Sequence, residues 1–211
     1  MTMPDPNRWE RSRRALKAAA AALLGPYRFN RIYRLTSMPV APTMPPGISC
    51  RRLTGSSAAA ADIDPELRER FWCDGDDAYG YGLFVDGRLA AVCWFWGPRR
   101  FNEPLLWVLR TNEAILVDLM TATGNRGQGL APLLIRHASA EMRRMGWDPL
   151  YTWMWHTHSA SYRAFEKAGW TQIARVLEIR PLGMARTLRL CWRSRRSHGA
   201  ERLPDPRLAG P

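Results

Sequence analysis

Apolar positions change their period from one segment to the next, and the changes mark out secondary structure. Ile48 to Leu53 reads as a first strand. Asp64 to Trp72 reads as a helix, because Asp64 can accept hydrogen bonds from a first turn and Pro65 suits the first helical position. Residues 82–94 form two apolar runs joined at Asp86-Gly87, whose readiness for positive φ fits a tight hairpin turn. Ala114 to Met120 is a β-rich run. Over Gly129 to Met145 the residues Leu130, Leu133, Leu134, His137, Ala138, Glu141 and Met142 recur at helical spacing. Leu150 to His156 reads as a strand, Ser159 to Ala168 as a helix, and Thr171 to Ile179 with Ala185 to Cys191 as a closing strand pair. This succession predicts an α/β domain with a mixed sheet and helices on both faces.

Residues 1–46 do not follow that pattern and are expected to be an extension. Trp9 to Leu24 reads as a helix with Arg8, Arg11 and Lys17 available to a basic side. In Tyr27 to Arg34 arginine recurs every third residue beside aromatic side chains, and the prolines at 39, 42, 45 and 46 predict an extended linker. The expected division is therefore a basic helical extension and Pro-rich linker over 1–46, a folded domain over 47–196 and a flexible tail over 197–211. Ser12-Arg13-Arg14-Ala15-Leu16-Lys17 resembles a twin-arginine export signal. The apolar run after it is short and lacks a small-residue cleavage site, so export is not expected.

Composition narrows the class. Near-average apolar and charged fractions fit a folded chain of 211 residues with one main core. The formal charge of +12 comes almost wholly from arginine and suits an anionic partner: a phosphorylated cofactor, a membrane surface or nucleic acid. Cys50, Cys73, Cys93 and Cys191 form no Cys-x-x-Cys pair, which argues against a zinc knuckle or a disulfide framework and fits a reducing, cytoplasmic setting. Peripheral membrane contact through residues 8–34 is the alternative that the basic arm raises.

The candidate chemistry centres on Val117 to Ala131, where a strand passes through Arg126-Gly127-Gln128-Gly129 into the long helix. Glycines let the backbone approach a ligand, and the unpaired amides of the helix start favour a phosphate. The spacing is neither a Walker loop nor a dinucleotide fingerprint. A tight turn with no ligand is the plain alternative.

Arg126-Gly127-Gln128-Gly129-Leu130-Ala131 resembles the coenzyme A signature Gln/Arg-x-x-Gly-x-Gly/Ala of the GNAT superfamily of N-acetyltransferases. Downstream, Ser161 to Trp170 resembles the second motif of that family, which usually ends Tyr-Glu-Lys-x-Gly-Phe. The resemblance covers about residues 47–179. It implies a GNAT-type sheet, splayed at its centre and flanked by helices. It implies acetyl-coenzyme A, or another acyl-coenzyme A, as co-substrate and an amine as acceptor. Backbone amides of Arg126, Gly127, Gln128, Gly129, Leu130 and Ala131 would hold the pyrophosphate. Leu119, Met120 and Thr121 would meet the pantetheine arm, with Phe165 beside it.

The chain departs from the family where catalysis is concerned. Phe165 stands where a proton-donating Tyr is common, and His158 stands where an Asn is common. Tyr162, one turn before Phe165, is the substitute acid, against the alternative that it only packs. His156 and His158 lack a third ligand of suitable spacing, so no metal is expected; either could serve as a base. Glu113 and Asp118 are the carboxylates at the central strand, either of which could act as base. Asp74, Asp76 and Asp77 could attract a cationic amine, although such clusters are turn-formers first. Trp94, Trp96, Trp107, Trp153 and Trp155 could line an acceptor tunnel or simply pack. Three functions follow in order: an acyl-coenzyme A-dependent N-acyltransferase, a homodimer included among its arrangements; a silent coenzyme A-binding sensor; and a basic protein of membrane surfaces, or less readily of nucleic acid, since no recognised nucleic-acid fold is visible.

Overall fold

The computed structural model describes residues 27–37, 39–54, 63–101, 108–180 and 188–194. Its strands are β1 (Tyr27–Leu35), β2 (Ile48–Arg52), β3 (Ala78–Val85), β4 (Arg88–Trp96), β5 (Ala114–Thr121), β6 (Leu150–Trp155), β7 (Trp170–Ile179) and β8 (Leu188–Arg193). They form one mixed sheet in the order β2-β3-β4-β5-β6-β1-β7-β8, as the α/β reading anticipated. The helices are α1 (Pro65–Arg68), α2 (Leu130–Arg144) and α3 (Ser159–Lys167).

Local sequence accounts for most of these elements. Asp64 caps α1 by accepting the Glu66 amide at 2.8 Å, with Pro65 in the first turn. The expected helix over 64–72 is split, however: α1 is one turn, and Glu69–Cys73 continues as a 3₁₀ segment. At the β3–β4 hairpin Asp86 and Gly87 hold φ of 48° and 80°, as a primed turn requires. Along α2, Leu130, Leu134, Ala138 and Met142 form a buried stripe at a spacing of four.

The helices divide the sheet into two faces. α2 and α3 cover one, over a core that includes Leu83, Phe95, Leu116, Leu134 and Phe165. α1 and the 3₁₀ segment cover part of the other, over Val92, Trp94 and Ala122, next to a neighbouring cluster of Ile32, Ile115, Tyr151 and Val176.

One segment differs from the expectation. Tyr27–Leu35, placed in the extension by its arginines, is strand β1, which lies antiparallel between β6 and β7. The sheet therefore starts before residue 47. The reason is that this run is buried on both sides: Asn30, Ile32, Tyr33 and Leu35 are all buried, while the Arg31 guanidinium stacks on the Tyr162 ring at 4.5 Å. The basic arm considered for membrane contact is accordingly part sheet. The predicted helix over 9–24 and the tail over 197–211 lie outside the described residues. Among the described residues no helix is long and apolar enough to cross a membrane.

Candidate functional site

The sheet opens at its middle. β5 and β6 are parallel neighbours that pair only at Ala114–Leu150, Ile115–Tyr151 and Leu116–Thr152, where the Thr152 hydroxyl also donates to the Leu116 carbonyl at 2.9 Å. Immediately beyond, β5 carries a bulge. Trp94 pairs with Asp118 and Phe95 with Leu116, so Val117 is an extra residue. A bulge bends its strand and raises its twist, and from this point β5 and β6 separate. The facing edges of 117–121 and 153–155 are left without a strand partner. Between and around them is a cleft of about 1160 Å³.

The bulge also reorients side chains. Leu119 packs on the α2 side, whereas Val117 and Asp118 both turn to the α1 side. Asp118 lines the cleft with Arg70 Nη1 at 3.8 Å and the Cys73 thiol at 3.9 Å from its Oδ2. Burial raises its pKa above the ordinary carboxylate value, and the raising outweighs the opposing pull of the Arg70 guanidinium, the Leu119 amide and the Cys73 thiol.

At the other end of the cleft, β5 runs through Thr123–Asn125 and the glycine turn into α2. Gly127 and Gly129 hold φ of 80° and 75°, and a Cβ on either would meet nothing within 4 Å. The turn thus needs glycine for backbone conformation, and the space above it is open. No side chain caps the first turn of α2. Its amides face the cleft with the positive end of a 15-residue helix behind them. An open cradle of unpaired amides fits an anionic phosphate group. The turn is anchored from the α1 side. Glu66 accepts the Thr123 hydroxyl at 2.9 Å and Arg126 Nη2 at 3.1 Å, while Arg126 Nε donates to the Thr121 carbonyl.

The cleft gathers Asp118, Leu119, Met120, Thr121, Arg126, Gly127, Gly129, Leu130, Ala131, His158 and Phe165 from the sequence-derived candidates. His158 precedes α3, and Phe165 is buried, edge-on to Trp170 at 5.2 Å. Others are elsewhere. Tyr162 is not among the lining residues; its ring packs beneath Arg31. Glu113 precedes β5, buried, with its carboxylate accepting the Arg110 amide at 3.0 Å. Gln128 reaches back to the Gly124 carbonyl at 3.4 Å. Asp77 is committed to its own loop by the Arg99 amide and the Tyr79 hydroxyl, Asp74 accepts the Gly75 amide, and Trp107 lies outside the described residues. Among the described residues no group of three potential ligands could hold a metal.

Sequence reasoning overlooked Asn30, Arg70, Arg163 and Lys167, all of which line the cleft. For α3 a signal was present: Ala160, Arg163, Ala164 and Lys167 share one helical stripe, now seen to face the cleft. Arg70 and Asn30 carry no such mark.

The profile of the Acetyltransferase (GNAT) family matches residues 49–170. The chain belongs to the GNAT family. No curated protein matches it by sequence. Its fold is similar to that of a GNAT-family protein from Novosphingobium aromaticivorans, with 20% identity and a TM-score of 0.51 over 74% of this chain and 64% of that one. It is also similar to a GCN5-related N-acetyltransferase from Sphaerobacter thermophilus, at 16% identity and TM-score 0.54 over 79% of this chain and 56% of that one. A third is a tandem GNAT protein of the clavulanic acid biosynthesis pathway, at 17% identity and TM-score 0.54 over 88% and 61%. The chain therefore spans less than two thirds of the length of these relatives. Within this GNAT chain, β1, β8 and most of β7 lie outside the matched residues.

Proposed function

We propose that this GNAT protein is an N-acyltransferase that moves an acetyl or other acyl group from coenzyme A to an amine. The observation that carries the reading is the bulged, splayed β5–β6 pair opening onto an uncapped helix start built on Gly127 and Gly129.

The amides of Gly127 to Ala131 receive the pyrophosphate, the Arg126 amide being given to the Thr123 carbonyl at 3.3 Å, with Arg163 and Lys167 on the α3 wall supplying positive charge beside it. The unpartnered edge of Leu119 to Thr121 accepts the pantetheine amides much as a sheet edge accepts an added strand. Phe165 provides an apolar floor. When bound, the acyl-coenzyme A supplies a thioester carbonyl with a thiolate as leaving group. Attack by a neutral amine forms the C–N bond and breaks the C–S bond, and the amine must shed a proton. Asp118 takes that proton: it lies in the cleft, it is held by the bulge on the face opposite α2, and burial has strengthened it as a base. Arg70 keeps it oriented. Phe165 has no proton to give, so His158, which lines the cleft at the start of α3, takes the role of proton donor to the departing sulfur.

The test is a calorimetric titration of acetyl-coenzyme A into the protein and into Gly129→Glu. Micromolar binding that the variant loses supports the reading; a folded wild type that does not bind acetyl-coenzyme A overturns it. Phe165 at the usual proton-donor position favours a second reading, a coenzyme A-binding module without turnover. Acetylation of any amine, abolished in Gly129→Glu, removes that alternative.

A further inference from the structure

Two polar side chains lining the cleft are buried, Thr152 and Asn30. Thr152 is satisfied, since its hydroxyl donates to the Leu116 carbonyl across the fork. Asn30 is not. The residue is 8% exposed, that exposure opens on the cleft, and among the described residues no group hydrogen-bonds its carboxamide. The carboxamide thus meets the cleft with its hydrogen-bonding capacity unused and available to a bound partner.

Its position is set by β1. Asn30 stands opposite Trp155 of β6 and Val176 of β7. Alternation along the strand puts Asn30 on the same face as Ile32, which packs with Ile115, Tyr151 and Val176 on the side away from α2 and α3. That is the face to which the bulge turns Val117 and Asp118. The cradle of the glycine turn opens at the start of α2, on the other side of the sheet. Asn30 therefore belongs to the half of the cleft remote from the phosphate cradle.

Resting on the acyltransferase reading above, we propose that Asn30 binds the acceptor, and that β1, a strand outside the family-matched segment, completes the acceptor half of the cleft. The surroundings specify the acceptor class. Val117 and Trp153 are apolar walls, Asp118 is the base, and Asn30 offers a neutral NH2 donor and a neutral carbonyl acceptor. The occupant is a primary amine with an apolar or aromatic body and an uncharged hydrogen-bonding substituent.

The experiment uses the full chain with acetyl-coenzyme A and three probes: tyramine, phenethylamine and the polar, non-aromatic diamine putrescine. Wild type is expected to acetylate tyramine best, with kcat/KM at least tenfold above phenethylamine and putrescine. In Asn30→Ala, KM for tyramine should rise at least tenfold, while kcat stays within threefold and acetyl-coenzyme A affinity is unchanged. Asn30→Ser, which keeps a small polar group in β1 should alanine not fold, should show the same split and lose the preference for tyramine over phenethylamine. Unchanged tyramine kinetics in a folded variant, or an equal fall in acetyl-coenzyme A affinity, would overturn the assignment. Putrescine as the best probe, or no turnover of any probe, would overturn the acceptor class while acetyl-coenzyme A binding left the donor reading standing. Absence of acetyl-coenzyme A binding in wild type would overturn both.

Discussion

The two ends of β5 are made of similar residues and put to opposite uses. At the closed end Ala114, Ile115 and Leu116 are buried; all three pair with β6, and Ile115 and Leu116 pair with β4 as well. At the open end Val117 to Thr121 are all half-buried and face a cleft, with Asp118 to Thr121 paired with β4 alone. One extra residue, Val117, separates the regimes. The closed end stabilises the fold through apolar burial, and the open end forgoes that burial to keep backbone groups, an acid and space available. Stability and the proposed chemistry are thus divided along one strand, and substitutions at its two ends should fail in different ways.

The largest effect should come from Asp118→Asn. Loss of a positioned base lowers kcat by about 10²–10⁴-fold. In wild type kcat/KM should fall as pH falls through the raised pKa of Asp118, because the base must be deprotonated, and the variant should lack that limb. The stability effect has the opposite sign. A carboxyl whose folded pKa lies above its unfolded value binds its proton more tightly in the native state, so native stability falls as pH rises from the unfolded to the folded pKa. Asp118→Asn should therefore melt at a higher temperature than wild type at neutral pH, as followed by circular dichroism. A variant that is slower but no more stable would show that burial at the open end carries no electrostatic cost.

Next in size is the closed end itself. Leu150→Ala empties a fully buried site opposite Ala114 and should cost about 2–5 kcal/mol in urea denaturation. Acetyl-coenzyme A affinity of the folded protein should be unchanged, since Leu150 does not line the cleft. Met120→Ala, at the half-buried open end, should cost about 1 kcal/mol or less in stability and weaken acetyl-coenzyme A binding severalfold. Equal stability losses at the two sites would dissolve the distinction.

How much of this division the sequence displayed depends on whether periodicity survives in each element. The hairpin, α2, α3 and the glycine turn keep clean local signals, and the Arg126 to Ala131 motif named the loop around which the cleft forms. β1 does not. Asn30 and Ile32 face one side while Tyr33 and Leu35 face the other, and the register shift against β7 falls on β7, where Ile173 is the extra residue. A strand buried on both faces shows no apolar–polar alternation, and with arginines interleaved it looks like a basic arm. The bulge at Val117 is equally invisible: Val117-Asp118-Leu119 reads as ordinary alternation, yet Val117 and Asp118 share a face. Helical spacing sets Tyr162 one turn before Phe165, but its ring lies under the Arg31 guanidinium of β1, a contact that spacing along α3 does not display.

A smaller effect tests the glycine turn. Gly129→Ala meets no steric obstacle, so its cost is the left-handed backbone alone, about 1–2 kcal/mol. Gly124→Ala, in equally open space but without positive φ, should be neutral. Acetyl-coenzyme A binding should weaken about tenfold in the first and stay unchanged in the second. A matching loss in both would mean that the methyl group, rather than the conformation at 129, is what the loop excludes.

The smallest expected effect concerns the tether between the two faces. Glu66 on α1 holds Thr123 and Arg126, so the α1 side of the sheet steadies a loop that serves the α2 side. Both partners of the ion pair are about half exposed, which limits the pair to roughly 0.2–1 kcal/mol. A double-mutant cycle of Glu66→Gln and Arg126→Gln, read by acetyl-coenzyme A titration, should give a coupling in that range that shrinks with added salt. Arg126 Nε keeps its bond to the Thr121 carbonyl, and an Arg126→Gln change removes that bond too, so Arg126→Gln should cost more than Glu66→Gln. Zero coupling would mean that the backbone of the glycine turn holds its shape unaided. In that case the open end of β5 would be preorganised by the bulge and α2 alone, with the 3₁₀ segment after α1 contributing Arg70 and Cys73 beside Asp118.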